Sequence, residues 1–184
     1  MKKRFAAAGL LLLFAALLVK AERKEKEGLR VVPSVDLPRY AGLWYEVARL
    51  PNRFEEKCAG DVTAEYTPKG PDRLKVVNRC RKKDGRMTEA VGEAKLADGG
   101  GPNSRLKVRF APAFLSFLPF VWGDYQIIEL APDYSYAVVG APDRKYLWFL
   151  SRTPRLDEGT YQRLTGAARA QGFDVSKLIR TKQG

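Results

Sequence analysis

The chain has 184 residues and a formal charge of +12, with 33 Lys and Arg against 21 Asp and Glu, two cysteines and no histidine. Without histidine there is no Ser-His-Asp triad, Cys-His pair or HExxH zinc helix, and two cysteines cannot build a four-thiolate zinc site. The cations are dispersed and carry no recognisable nucleic-acid motif, so they suit a solvated surface, acidic ligands or an anionic membrane; neither a cofactor nor a nucleic-acid partner is expected.

Lys2, Lys3 and Arg4 precede an uncharged, mainly apolar run over residues 5–19, followed by Val19-Lys20-Ala21. This pattern predicts a signal peptide over residues 1–21, cleaved after Ala21. The competing reading is an uncleaved membrane anchor, for which the run is short. No Cys follows it, so lipid attachment at that point has no thiol to use. Residues 22–31 are charged and nonperiodic, a flexible leader, and residues 32–184 suffice for one well-buried domain.

Within that domain, runs of alternating or β-branched character fall at residues 43–50, 61–67, 73–80, 87–96, 104–111, 122–130, 135–140 and 146–151. Turn-forming clusters punctuate them: PKGPD, KKDG, DGGGPN and APD twice. Eight strands with short connectors favour neighbour-to-neighbour antiparallel pairing. Leu106, Val108 and Phe110 alternate with Arg105, Lys107 and Arg109, which gives one apolar and one cationic face. Beyond Pro154 the period changes: Tyr161, Leu164 and Ala168 fall at helical spacing between Asp157 and Gly172. Phe173, Val175, Leu178 and Ile179 supply a short apolar dock. The fold expected is all-β, an eight-stranded antiparallel up-and-down β-barrel with one C-terminal α-helix packed outside. Closure removes the exposed edges that a β-sandwich, the runner-up, would keep.

Three segments resemble lipocalin signatures in the right order. Gly42-Leu43-Trp44 with Tyr45-Glu46 is similar to the first-strand G-x-W motif, Asp133-Tyr134-Ser135-Tyr136 to the motif between strands six and seven, and Leu150-Ser151-Arg152-Thr153-Pro154 to the motif ending strand eight. WYEVARLPNRFE, YLWFLSRTP and GFDVSK most resemble bacterial outer-membrane lipocalins of the apolipoprotein D-like group. The resemblance implies a calyx that binds, stores or transports a lipophilic molecule, a fatty acid or lysophospholipid, at the bacterial cell envelope. The protein would then be exported, periplasmic or outer-membrane associated, but without the N-terminal lipidation Cys typical of that group.

Up-and-down counting places the start of strand one and the end of strand eight at one end, where Trp44 and Arg152 can stack and close the floor. Gly42, Asp133 and Tyr134 belong to the same structural group. Residues 51–60, 81–86, 111–121 and 141–145 then form the mouth, and with them the stretch APAFLSFLPFVWG, whose prolines preclude an ordinary helix. Phe114, Phe117 and their apolar neighbours would line the entrance or touch an anionic membrane peripherally. Cys58 and Cys80 lie at this same end, which predicts a disulfide in an oxidising compartment.

Parity assigns Val62, Ala64 and Tyr66, Val76 and Asn78, Leu106, Val108 and Phe110, and Trp148 to the ligand-facing interior. Ala90, Gly92 and Ala94 would widen the cavity. Strands six and seven leave parity open, and Tyr136 is included as a ligand contact. Asn78, Tyr66, Arg53, Arg81 and Lys82 are candidates for a polar head group, and Glu46 for a buried, hydrogen-bonded structural carboxylate. The rival readings are a lipid-modifying enzyme with a Cys58 or Cys80 nucleophile, and a structural envelope protein whose barrel is filled by side chains.

Overall fold

In the computed structural model residues 28–97 and 101–184 are described; the expected signal peptide and most of the leader lie outside them. The strands are β1 Gly42–Arg49, β2 Cys58–Pro68, β3 Arg73–Lys82, β4 Met87–Leu96, β5 Arg105–Arg109, β6 Gly123–Leu130, β7 Tyr136–Gly140 and β8 Leu147–Ser151. Each pairs antiparallel with the next, and β8 returns to β1, so the sheet closes on itself. A ninth strand, β9 Ile179–Arg180, pairs with the upper half of β1. The expected apolar dock is therefore split: Phe173 is buried, while Ile179 extends along the barrel wall and stays exposed.

Two apolar clusters flank the wall, because successive strand residues point to opposite faces. The inner one contains Trp44, Tyr66, Leu74, Val76, Leu106, Ile127, Val139 and Leu150. The outer one joins Val47, Ile128, Val138, Leu147 and Phe149 to the helix α2, Glu158–Ala170, although a short helix, α1 Leu37–Tyr40, precedes both in the chain. Asp157 caps α2 by accepting from the Thr160 N–H at 2.8 Å, and Tyr161, Leu164 and Ala168 form its buried stripe. Leu29 is only 2 % exposed within this outer cluster, and the Arg30 N–H donates to Gln171 Oε1 at 2.9 Å. The leader boundary at residue 31 is thus too late: an apolar side chain inside the charged run had a place under the helix.

Candidate ligand site in the barrel interior

The floor is built by α1. Asp36 caps it, accepting from the Arg39 N–H, and Pro38 presets its first turn. The helix delivers Tyr40 into the barrel, where its hydroxyl lies 2.7 Å from that of Tyr125, which in turn lies 2.8 Å from that of Tyr66. Burial pushes all three phenols up, Tyr66 to about 12, so the triad is uncharged and satisfies its own polar groups. Trp44 Nε1 donates to the Tyr40 carbonyl at 2.7 Å. The Arg152 guanidinium sits 3.9 Å from the Trp44 ring and donates to the carbonyls of Leu43, Arg39 and Ala41 at 2.8, 2.8 and 2.9 Å. Gly42 has φ +92, and a Cβ there would lie 3.4 Å from Arg152 Nη1. Tyr134 accepts from the Asp36 N–H at 2.9 Å and lies under Arg39, and Asp133 holds the turn by accepting from the Ser135 N–H.

Above this floor the inward faces loosen. Ala64, Tyr66, Val76 and Leu106 are buried in the inner cluster, and Val62 is buried above Ala64. Asn78, Val108 and Trp148 are only half-buried, and Ala90 is exposed. The upper half of the cup is therefore reachable from outside. Gly92 does not widen it, contrary to expectation. A Cβ there would lie 2.7 Å from the Phe110 ring, so Phe110 folds over the glycine, with 42 % of its surface still exposed.

One wall of this upper half is polar. Glu46 is 2 % exposed, and its carboxyl is pushed up to about 8 by burial and by neighbouring Glu55, against the opposing pull of the Thr181 hydroxyl and Arg49. Arg49 Nη1 lies 3.3 Å from Glu46, and its Nε lies 2.6 Å from Glu55, which also accepts from Trp148 Nε1 at 3.0 Å. Parity did not reach Arg49, because a bulge between Glu46 and Ala48 shifts the register. Arg81 pairs with Asp61 at 2.5 Å and Lys82 with Asp84 at 3.5 Å, whereas Arg53 lies over Phe54.

One placement corrects the sequence reading and another narrows it. Tyr136 faces outward, packed on the outer cluster with its hydroxyl accepting from Arg163 at 2.8 Å, because alternation along β7 turns Ala137 and Val139 inward. Phe114 and Phe117 do not line the interior either. The stretch 111–121 forms two 3₁₀ turns, Ala113–Leu115 and Pro119–Val121. Because a 3₁₀ turn repeats every ~3 residues, the chain sorts its side chains by threes. Phe114, Phe117 and Phe120 are 75, 77 and 79 % exposed, while Leu115, Leu118 and Val121 are half-buried. Trp122 anchors the loop, donating to the Ser116 carbonyl at 2.8 Å with Arg109 and Lys95 against its ring.

Cys58 and Cys80 are joined in a disulfide, so neither sulfur offers the thiolate that the nucleophilic reading requires. Among the described residues there is no cluster of carboxylates and thiols that could hold a metal ion.

Residues 35–183 match the model of the lipocalin-like domain family. The chain is 40 % identical over 160 residues to temperature-induced lipocalin-1 of Arabidopsis thaliana, covering 86 % of this chain and 85 % of that protein. It is 40 % identical over 157 residues to the outer membrane lipoprotein Blc of Escherichia coli, covering 85 and 84 %. To mouse apolipoprotein D the identity is 30 % over 162 residues, covering 83 and 79 %. Among solved structures, insecticyanin of the tobacco hornworm Manduca sexta superposes with a TM-score of 0.65 at 21 % identity over 86 % of each chain, a likeness of fold.

Proposed function

The chain belongs to the lipocalin family, and from that premise we propose that it carries a fatty acid or lysophospholipid in its calyx at the bacterial cell envelope. The observation that carries this reading is the gradient inside the barrel: a sealed aromatic floor below, half-buried Asn78, Val108 and Trp148 above. An acyl chain binds by leaving water, at about 0.8 kcal/mol per buried methylene before entropy and incomplete burial reduce the total. That process requires no covalent step. Support for an envelope location comes from the bacterial relatives named as outer membrane lipoproteins.

The source of the ligand is an anionic membrane met mouth-first. Of the nine large apolar side chains exposed among the described residues, seven ring the open end: Phe54, Met87, Phe110, Phe114, Phe117, Phe120 and Ile179. Arg53, Lys57, Lys83 and Arg86 are exposed at the same end and outnumber the exposed Glu56 and Asp84, the latter paired with Arg86 at 2.7 Å. Apolar side chains set among cations fit the interface of an anionic bilayer. The direct test is solvent extraction of natively purified protein followed by mass spectrometry, alongside titration with a fluorescent fatty acid. Stoichiometric recovery of a single-chain lipid supports the reading. Absence of both bound lipid and probe uptake overturns it and favours a structural barrel.

A further inference from the structure

Above Tyr45 the barrel's own ladder fails. β1 and β2 pair only from Gly42 opposite Tyr66 to Tyr45 opposite Thr63. Beyond that β1 bulges and β2 loses register between Gly60 and Thr63, with Asp61 at φ +51. Residues 179–184 lie in the gap and carry its hydrogen bonds on both edges. Towards β1, the Thr181 N–H donates to the Val47 carbonyl at 3.0 Å. Towards β2, the Asp61 N–H donates to the Lys182 carbonyl at 2.8 Å, and the Gly184 N–H to Asp61 Oδ1 at 2.7 Å. Gln183 Nε2 spans the two, donating to the carbonyls of Glu46 and Val62 at 2.7 and 2.9 Å.

The insertion is close but lightly held. A Cβ on Gly60 would lie 2.6 Å from the Lys182 carbonyl oxygen, so the approach depends on glycine. Yet β9 is two residues long, and Ile179, Arg180, Lys182 and Gly184 are exposed. Depressions of about 400 and about 150 Å³ adjoin it, and Arg49, Cys58 and Ile179 line both. Directly behind it stands the cluster of Glu46, Arg49 and Glu55, to which the Thr181 hydroxyl donates through Glu46. Segments with few buried apolar contacts and solvent-facing backbone bonds open at the low end of the local stability range.

We propose that residues 179–184 are a detachable strap over a side port between β1 and β2, and that the polar end of a ligand exchanges through this port beside Arg49. The exchange rests on the carrier reading above, whereas the strap's detachment does not.

Opening would admit water to Glu46. The titratable and charged groups around it are Arg49 on β1 and Glu55 in the mouth loop, with Arg180 and Lys182 on the strap itself. The strap's edges also meet Asp61, paired with Arg81, and Glu158, paired with Arg180. With the strap closed, the Glu46 carboxyl keeps its proton to about pH 8, first because it is buried and then because of Glu55. Once hydrated, it releases that proton nearer the ordinary carboxyl range. Between those limits the closed form binds more protons, so raising the pH favours opening.

Hydrogen exchange tests the strap by itself. The amides of Asp61 and Thr181 are expected to exchange about tenfold or more faster than those of the β2–β3 ladder, with an excess rise with pH that Glu46→Gln abolishes. A disulfide between Ala48→Cys and Arg180→Cys, which face each other across β1 and β9, locks the strap. Release of an anthroyloxy-labelled stearic acid from the locked protein is expected to slow about tenfold and to recover on reduction, with reduced wild type as the control for Cys58–Cys80. Ending the chain after Leu178 should accelerate release by a similar factor. Strap amides as protected as the ladder, or release from the locked variant at the wild-type rate, would overturn the proposal. If wild type takes up no probe, the carrier reading fails, and hydrogen exchange alone decides whether the strap opens.

Discussion

At the floor of the barrel, Tyr40, Trp44, Tyr66 and Tyr125 fill the space between the strands, and their polar atoms find protein partners at 2.7 to 2.8 Å. At the mouth, Phe114, Phe117 and Phe120 stand in solvent. A protein selected for stability alone would tend to bury those rings and would not need a phenol triad at its base. The contrast separates two tasks along one axis. The floor excludes water and fixes the strand register, so that the upper half can remain accessible without the barrel collapsing.

The sharpest way to break that contrast is to damage the floor. Trp44→Ala removes the largest fully buried side chain and the platform for Arg152, and should cost about 3 to 5 kcal/mol in urea unfolding. If the loss is under about 1 kcal/mol, the floor does not carry the fold. Replacing both Cys58 and Cys80 by Ser opens a loop with a sequence separation of 22 at the other end, and should cost about 3 kcal/mol in the chain-entropy account. The m-value would show whether that change acts on the unfolded chain. Tyr125→Phe is smaller in volume but leaves the hydroxyls of Tyr40 and Tyr66 without their shared partner, so about 1 to 3 kcal/mol should be lost. Adding Tyr40→Phe and Tyr66→Phe to it should restore part of that loss, which distinguishes unsatisfied polarity from packing.

The strands were legible in the sequence wherever turn chemistry bounded an alternating run. β4 spans residues 87–96 as expected, because KKDG and DGGG punctuate both its ends. What escaped was whatever interrupts a period of two. The extra residue between Ile127 and Glu129 breaks the parity of β6, whereas β7 alternates regularly but is apolar on both faces, so the sequence does not say which way Tyr136 turns. The bulge after Glu46 hid Arg49, and Glu55 lies in a loop with no periodicity at all. Of residues 179–184 only Ile179 entered the sequence reading, as the end of the apolar dock, since nothing local announces that β1 and β2 part above Tyr45. Only the three-dimensional gap gives the strap its place. By contrast the three-residue spacing of Phe114, Phe117 and Phe120 is present in the sequence, but it acquires meaning only once the prolines are seen to direct 3₁₀ turns.

That spacing supplies the prediction with the smallest effect on stability and the most specific effect on function. Phe114→Ser, Phe117→Ser and Phe120→Ser together remove three rings that are more than seventy per cent exposed, so urea unfolding should shift by no more than about 0.5 kcal/mol per site. Binding to vesicles containing anionic phospholipid should nevertheless fall about tenfold or more, because these three rings are the most exposed of the seven apolar side chains at the mouth. The remaining cations would leave a weak attraction that added salt removes, whereas wild-type binding should keep a salt-resistant part. Uptake of a fatty acid added from solution should be unchanged, since Phe114 and Phe117 do not line the interior. A triple variant that unfolds readily would mean the rings pack where they stand; one that binds vesicles as wild type does would return the mouth to an ordinary solvated rim and leave the floor as the only specialised end.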